Sequence, residues 1–274
     1  MANKRMYIIS GGMIQCDLAN MVCMPALGNA REHEVKSIWA DSPVTCMLIE
    51  NEEGLVLFDT GCHPDAMKGR WDEGNRMRTP VSIDEREGVL AALEMLGYRT
   101  EDVKYIVLSH LHEDHAGCIE FFSQARVVVS DKELTGTMRL YALHGDMGGY
   151  IRKDIRAWLD KEICWDLIAE EEEERELLDG IRILNFGSGH TFGMMGLLVN
   201  LKDSGNYLLV SDCVNTKENY GPPIRFPGLA YDTIGYQKTV ERIHRLERKY
   251  QAKVLFGHDI GQYRELKLAP EFYS

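Results

Sequence analysis

Short apolar runs recur along the chain and predict strands that are buried in a sheet. They cover residues 104–109, 126–130, 181–186, 207–211 and 254–257. Each run is rich in Val, Ile, Leu, Tyr or Phe and is too short for a typical helix. Residues 45–50 and 54–58 are two further runs, and the turn Asn51-Glu52-Glu53 between them predicts a hairpin.

Three segments have apolar residues at helical spacing. Residues 82–96 are predicted as a helix with Ser82 as its N-cap and Gly97 as its stop. Residues 233–250 carry the stripe Val240, Ile243 and Leu246, and residues 151–168 begin with a similar stripe. Strands and helices follow one another without a linker-like break, which predicts an α/β protein with one domain over residues 1–274.

The densest cluster of candidate metal ligands follows the strand predicted at 104–109. The chain continues there as Ser109-His110-Leu111-His112-Glu113-Asp114-His115. Imidazole nitrogen and carboxylate oxygen suit zinc and its borderline neighbours, whereas a Ca or Mg site is built almost wholly from oxygen. Four candidate ligands are more than one tetrahedral zinc ion would take from a single loop. Three more candidates follow other predicted strands, namely His190, Asp212 and His258.

The seven residues together resemble the ligand set of the dinuclear metallo-β-lactamase superfamily of hydrolases. The resemblance implies an αββα sandwich with the metal site at one edge of the sheets. It implies two divalent ions, with zinc expected and Mn, Fe or Co as alternatives. Asp59, in the segment Leu57-Phe58-Asp59-Thr60-Gly61, would support a ligating histidine. One metal would be held by His110, His112 and His190, the other by Asp114, His115 and His258, with Asp212 bridging them.

Within that superfamily, residues 58–65, 212–220 and 256–260 are similar to the N-acyl-homoserine lactonase family, and the likeness covers nearly the whole chain. It implies that a metal-bridging hydroxide attacks the lactone carbonyl, while Asp114 carries the proton to the departing alkoxide. Members of that family usually have a tyrosine three positions after the bridging aspartate, where this chain has Asn215. Asn215, whose amide can donate a hydrogen bond, or Tyr220 is the candidate oxyanion contact.

The segment from about residue 136 to 179 is the part most specific to this chain, and we expect it to cover the cleft. Ile151, Ile155, Trp158 and Leu159 could line an acyl-chain pocket or belong to ordinary core. Core is the simpler interpretation, because apolar stripes on helices are usually buried packing. Outside the cluster, we expect His63 to be a structural histidine and His244 to be exposed.

Composition limits the kinds of partner and the cellular location that we expect. The 274 residues carry a net charge of −12 and no Lys/Arg track, so a nucleic-acid partner is not expected. Seven cysteines without a CxxC pair predict reduced thiols. The amino terminus has no apolar segment of signal-peptide length, so we expect a cytoplasmic protein without a membrane anchor. The expected partner is a small lactone, and the resemblance makes a homodimer reasonable.

Other hydrolases on the same site are the alternatives. The substrate could be another small lactone, a thioester, a phosphodiester or a β-lactam. A thioesterase acting on glutathione esters should carry a basic patch, and none is evident. A non-catalytic metal-binding protein is the least supported alternative, because the ligand set is complete.

Overall fold

The computed structural model describes residues 4–84 and 86–274. Within these residues the strands form one sheet of seven and one of five. The strands are β1 (Arg5–Asp17), β2 (Trp39–Asn51), β3 (Gly54–Phe58), β4 (Val81–Ser82), β5 (Val103–Val107), β6 (Arg126–Ser130), β7 (Cys164–Ile168), β8 (Glu174–Leu178), β9 (Ile181–Gly187), β10 (Met194–Leu201), β11 (Gly205–Ser211) and β12 (Lys253–Phe256).

The first sheet has the order β4-β1-β2-β3-β5-β6-β7, and the second has the order β12-β11-β10-β9-β8. In the first sheet, β1, β2 and β3 are antiparallel, whereas β3, β5, β6 and β7 run parallel. The carboxyl ends of the parallel strands therefore meet at one edge of that sheet. In the second sheet only β11 and β12 are parallel among the described pairs.

The helices are mostly short. They are α1 (Leu18–Met21), α2 (Glu73–Arg78), α3 (Val89–Met95), α4 (Asp131–Ala142), α5 (Arg152–Asp160), α6 (Lys217–Tyr220), α7 (Thr233–Tyr250) and α8 (Ile260–Tyr263), with 3-10 turns at Ala66–Lys68, Thr100–Asp102 and Ile119–Phe121. In the described parts of the chain, no helix is both long and apolar enough to cross a bilayer.

Side chains alternate between the two faces of each strand, and this explains how the layers of the fold pack. In β3, Val56 and Phe58 face the core between the two sheets, whereas Leu55 and Leu57 face outward onto a second core. That second core includes side chains of α3 and α5. On the far side, α7 covers the second sheet through Val240, Ile243 and Leu246. Both sheets are thus buried on two faces, which confirms the αββα sandwich.

Most predicted elements are confirmed. The hairpin is formed by β2 and β3, and the helix predicted at 233–250 is α7. The helix predicted at 82–96 is wrong in its first half: Ser82 pairs with Met13 in β4, and α3 begins only after Gly88. Gly97 does end it, with a φ of 81°. Glu85, inside that prediction, lies outside the described residues.

The helix predicted at 151–168 is also only half right. Residues 152–160 are α5, but Cys164–Ile168 form β7, which pairs in parallel with β6. Glu162, between the two elements, has a φ of 51°. This left-handed conformation ends the helical path and redirects the chain into the sheet.

The cysteines are all free thiols. Five of the seven are buried, Cys23 is half-buried, and Cys164, the first residue of β7, is exposed. Burial raises the pKa of Cys16 to about 11 and also raises the pKa of Cys46 well above its usual value.

Candidate metal centre

The seven candidate ligands lie where strands of both sheets end. The loop after β5 carries His110, His112, Asp114 and His115. His190 follows β9, Asp212 is the residue after β11, and His258 lies two residues after β12. Because these strands end at one edge of the sandwich, the fold brings residues that are up to 148 positions apart into one cluster.

Distances between the side chains are those of a metal site. Asp212 lies at the centre: its Oδ2 is 3.4 Å from His190 Nε2, and its Oδ1 is 3.0 Å from His258 Nε2. His115 Nε2 lies 3.4 Å from both Asp114 Oδ2 and Asp212 Oδ1. Three overlapping sets have ligand atoms within 4.8 Å of one another, namely His110–His112–His190, His110–His115–Asp212 and Asp114–His115–His258.

Several of these buried atoms lack the partners that buried polar groups normally have. Among the described residues, His110 Nε2 makes no hydrogen bond, while His115 Nε2 and Asp212 Oδ1 have other candidate ligand atoms 3.0–3.4 Å away but no hydrogen bond of good geometry. An unpartnered polar atom in the interior costs about 1–3 kcal/mol, so such a cluster requires a bound group. The nitrogen and oxygen donors fit a divalent ion, and the His/Asp cluster is a divalent-metal site of the chain.

The protonation states divide the cluster into two parts. Burial, reinforced by His190, lowers the pKa of His112 to about 3, which keeps this imidazole neutral and able to ligate. Burial also opposes a charge on His115, but Asp114, Asp212 and Asp59 outweigh it and raise the pKa of His115. Burial alone would raise the pKa of Asp114, but His115 and His258 lower it to about 2. A metal ion bound by His115 would therefore have to displace a proton.

A further set of contacts orients the imidazoles. Asp59 Oδ2 lies 2.9 Å from His115 Nδ1 and accepts a hydrogen bond from it. His258 Nδ1 donates to the carbonyl of Pro43 at 3.0 Å. In both histidines the Nε2 atom is thereby turned toward the cluster. The supporting role predicted for Asp59 is consistent with this hydrogen bond.

Glu133 on α4 connects three segments around the site and was missed in the sequence. Its Oε1 accepts from the Leu111 amide at 3.0 Å and from the Tyr150 hydroxyl at 2.9 Å. Its Oε2 accepts from the Gly193 amide at 3.0 Å. Leu111 lies between two candidate ligands, and Gly193 lies three residues after His190. Glu133 follows the predicted strand at 126–130 by three residues, so its position after a strand end was the available signal.

Five of the candidate ligands line a cleft of about 460 Å³, a size typical of small-molecule sites. They are His112, Asp114, His190, Asp212 and His258. One part of its wall is apolar and includes Ile14, Met21 and Leu229. Another part is polar and includes Glu113 and Arg78. Burial, followed by repulsion from Asp114, raises the pKa of Glu113 to about 8. No role for Glu113 was predicted from the sequence.

The two candidate oxyanion contacts lie in different places. Asn215 lines the cleft and is buried; its Nδ2 is 3.1 Å from the sulfur of Met21, and its Oδ1 has no hydrogen bond within the described residues. Tyr220 does not line the cleft. Its hydroxyl donates to Glu247 at 2.7 Å, and its ring stacks on His244 at 3.9 Å between centroids. The structure therefore does not bring Tyr220 to the site, and His244 is half-buried rather than exposed.

The segment at 136–179 contributes Asp146 and two glycines, rather than an acyl pocket, to the cleft. Ile151, Ile155 and Trp158 are packed in the core, and Leu159 is 55% exposed. The glycines Gly148 and Gly149 line the cleft instead. His63, predicted to be structural, is buried, with Nε2 3.1 Å from Glu120.

Several known proteins are similar to this chain over most or all of its length. The family model of the metallo-beta-lactamase superfamily matches residues 39–258. The N-acyl homoserine lactonase AiiB of Agrobacterium fabrum is 39% identical over 277 residues, which cover 100% of both chains. An N-acyl homoserine lactonase of Bacillus cereus is 29% identical over 278 residues, covering 99% of this chain and 100% of the relative.

A solved structure extends the likeness to three dimensions. An N-acyl homoserine lactone hydrolase, with the product N-hexanoyl-L-homoserine bound at its catalytic metal center, is 26% identical and has a TM-score of 0.82. The match covers 99% of this chain and 100% of that one. Sequence, fold and site thus agree, and the chain belongs to the metallo-β-lactamase superfamily and, within it, to the N-acyl homoserine lactonase family.

Proposed function

We propose that this protein hydrolyses N-acyl homoserine lactones by opening the lactone ring. The observation that carries the proposal is the cluster of seven candidate ligands at the wall of the cleft, in a chain 39% identical to an N-acyl homoserine lactonase along its whole length. The similar solved structure, which holds a ring-opened product at its metal center, supports the same reaction.

The proposed cofactor is a pair of divalent ions, expected to be zinc. The assignment of ligands is that of the resemblance: His110, His112 and His190 for one ion, and Asp114, His115 and His258 for the other. Asp212 would bridge them, which its distances to His190 and His258 support. Such ions supply Lewis acidity and bring the pKa of a bound water from about 15.7 to near 7.

The side chains of the cleft supply the remaining chemistry. Asp114 lines the cleft beside the cluster, so its carboxylate is placed to take up a proton and pass it to the leaving alkoxide. Asn215 can turn its amide to present either oxygen or nitrogen to the cleft, and in the second orientation it donates to an oxyanion. The apolar wall at Ile14, Met21 and Leu229 gives the acyl chain a place outside water.

The first experiment measures metal and turnover together. Purified protein should contain two metal ions per chain and release acid in a pH-indicator assay with N-acyl homoserine lactones. If the protein opened only plain γ- or δ-lactones, its substrate would be a lactone without the acylamino group. A protein that opens no lactone would contradict the proposal.

A ligand variant tests the site. His112→Ala removes one imidazole from the first trio, so we expect loss of metal and a decrease in kcat/KM of more than about 100-fold. Far-UV circular dichroism should stay close to that of the wild type. His33→Ala, at an exposed histidine outside the cluster, is the matched control and should change neither quantity. Normal metal content and turnover in His112→Ala would disprove the site assignment.

Three further properties are proposed with it. One hydrolase domain over residues 1–274 is supported by the core that the two sheets share. A cytoplasmic location is supported by the free thiols, because a reducing compartment keeps cysteines in that state. A homodimer rests on the resemblance alone, and sedimentation would test it.

A further inference from the structure

Arg78 is the one arginine or lysine among the described residues that line the cleft. Apart from the histidines, the other ionisable side chains of the lining are carboxylates. Arg78 is the last residue of α2, and its side chain is 39% exposed, so it is accessible to a molecule that enters the cleft. A guanidinium keeps its charge and has no acceptor atom, so a substrate meets it only through an acceptor of its own.

Contacts on one nitrogen hold this guanidinium in place. Nη2 of Arg78 donates to the carbonyl of Gly148 at 2.9 Å and lies 3.7 Å from Oε1 of Glu113. The Asn75 amide, one turn earlier on α2, donates to the same two oxygens at 3.1 Å. A guanidinium has five N–H donors in a planar fork, and these contacts engage Nη2 only. Nε and Nη1 therefore keep their donors for a group bound in the cleft.

The loop at 145–150 places Arg78 beside the ligand loop. The backbone of Gly149 packs against His112, because a Cβ there would lie 2.8 Å from Cδ2 of the imidazole. Gly149 O also accepts from the Glu113 amide at 2.9 Å. Gly148, the preceding residue, holds Arg78. The guanidinium is thus fixed next to the backbone that contacts a candidate ligand, where it would meet the part of a substrate closest to the reacting carbonyl.

The apolar wall of the cleft comes from other segments of the chain. Ile14 lies in β1, and Met21 is the last residue of α1. The Gly228 amide donates to Asn20 O at 3.1 Å, which brings Leu229 beside these two segments. The cleft therefore offers an apolar wall for a hydrocarbon chain and a separate polar wall, made by α2 and the loop at 145–150, for a polar group.

The substrate class of the proposed function has one group that suits Arg78. Its ring oxygens react at the ions, and its amide N–H is a donor that a guanidinium cannot accept. The acyl carbonyl outside the ring is an acceptor, and it lies between the ring and the hydrocarbon chain. Resting on the proposed function, we propose that Arg78 donates a hydrogen bond to this exocyclic carbonyl and thereby selects lactones that carry an acyl group over alkyl lactones.

Three substrates with the same ring and the same chain length separate the groups involved. N-hexanoyl homoserine lactone has the N–H and the exocyclic carbonyl, and α-hexanoyloxy-γ-butyrolactone has the carbonyl without the N–H. The third substrate, α-heptyl-γ-butyrolactone, has neither group. The kcat/KM for ring opening is measured with each substrate on protein whose metal content has been checked, and mass spectrometry identifies the opened ring.

Arg78→Met removes the donors and keeps a long unbranched side chain. We expect kcat/KM to fall about 10-fold on the amide and on the ester, the lower end for a hydrogen bond to a charged group because Arg78 is partly exposed. The value for the heptyl lactone should not change. Arg156→Met removes the same charge from a side chain that is 77% exposed and lies outside the cleft lining, so it should leave all three values unchanged.

The outcomes separate this inference from the proposed function. If the wild type opens none of the three lactones, both fail. If Arg78→Met lowers kcat/KM by the same factor on all three, or on none, the lactonase stands and the role of Arg78 is overturned. Where Arg78→Met does not fold, Arg78→Gln, which keeps a donor for Gly148, takes its place. The wild type gives a check without any variant: equal kcat/KM for the ester and the heptyl lactone, each divided by its rate constant for hydroxide ring opening, also overturns the proposal.

Discussion

Asp59 shows how much one residue can organise at this site. It is fully buried, and its Oδ2 accepts from His115 Nδ1 at 2.9 Å and from the Ser211 hydroxyl at 3.1 Å. Its Oδ1 accepts from the Ser109 amide at 2.7 Å. A single carboxylate thus connects the loop after β5 with the end of β11 in the other sheet.

Asp59→Asn should weaken metal binding by about 10- to 100-fold, because its amide nitrogen would donate toward His115 and move the imidazole proton to the ligating Nε2. Competition with a chromophoric chelator measures the change. Asp65→Asn, an exposed carboxylate six residues away, is the control. Unchanged affinity in Asp59→Asn would mean that His115 keeps its tautomer without help.

At the residue scale, the sequence indicates which polar residues come together better than it indicates their neighbours. All seven candidate ligands follow strand-like runs, and the structure brings them into one cluster. Tyr220 was misplaced because its hydroxyl meets Glu247 on α7, 27 positions later, a contact that no local pattern contains. Glu113 was overlooked for the same reason, since its partner Asn75 lies 38 positions earlier.

At the scale of elements, short helices secure the loops that carry the ligands. Helix α4 contributes Glu133, whose two oxygens receive amides from the loops of both sheets. Helix α5 contributes the buried Asp154, which pairs with Arg70, while Arg70 also lies 2.7 Å from Glu120. These carboxylates act by holding backbone and loops in place.

Glu133→Gln replaces one acceptor oxygen with a donor, so at least one of the three groups on Glu133 loses its partner. We expect the free energy of unfolding to fall by about 1–3 kcal/mol and kcat/KM to fall with it. Urea denaturation and lactone turnover measure the two effects. Glu170→Gln, on an exposed carboxylate paired with Lys132, should leave both unchanged; equal stability of the Glu133 variant would argue against the role of this carboxylate.

Asp154 gives a prediction about pH. Burial, opposed by Arg70, raises the pKa of Asp154 to about 7, above its value of about 3.9 in an unfolded chain. As pH rises between these values, the unfolded state loses the proton first, so the folded state loses stability. The stability of the wild type relative to Asp154→Asn should therefore fall by about 2 kcal/mol from pH 5 to pH 8.

Denaturation of both proteins at the two pH values provides the measurement, and metal effects common to both cancel in the difference. Within this comparison, a difference that is independent of pH would show that Arg70 keeps Asp154 ionised throughout. If the wild type gained stability relative to Asp154→Asn as pH rises, the pKa of Asp154 would be lowered by folding and the prediction would be wrong.

Element boundaries were predicted correctly where the local pattern is strong. They were missed where pairing with a distant strand determines the structure. The 18 residues of α7 were predicted from their apolar stripe, and the structure adds Asp232 as the N-cap. Strand β4 has two residues, and its pairing partner Met13 lies 69 positions from Ser82. Strand β7 completes a parallel edge beside β6, and such pairing overrides the helical spacing that precedes it.

For the whole molecule, the metal centre is also a connection between the two sheets. The trio His110, His112 and His190 takes residues from both sheets, as does the trio Asp114, His115 and His258. Ions bound there would hold the halves of the sandwich together, in addition to the shared core. The αββα layering itself follows from strands that are apolar on both faces.

Removal of the metal should therefore lower the melting temperature. An ion at about 1,000 times its Kd adds about 4 kcal/mol per site, which corresponds to a shift on the order of 10 °C for a chain of this size. Differential scanning calorimetry before and after chelation, and after zinc is restored, measures it. The same treatment should shift His112→Ala by less; equal Tm values for the wild type with and without metal would exclude the cross-sheet role.

The single exposed cysteine among the seven offers a means of attaching the protein to a support. Cys164 begins β7 and pairs with Arg126 at the start of β6, so it lies at the amino end of the parallel strands. The cleft lies beyond their carboxyl ends. A thiol-reactive bead or electrode would reach Cys164 before the buried thiols, whose raised pKa values and lack of access make them slow nucleophiles. An enzyme coupled in this way would be anchored by the end of the sheet remote from its cleft, leaving the cleft open to the medium.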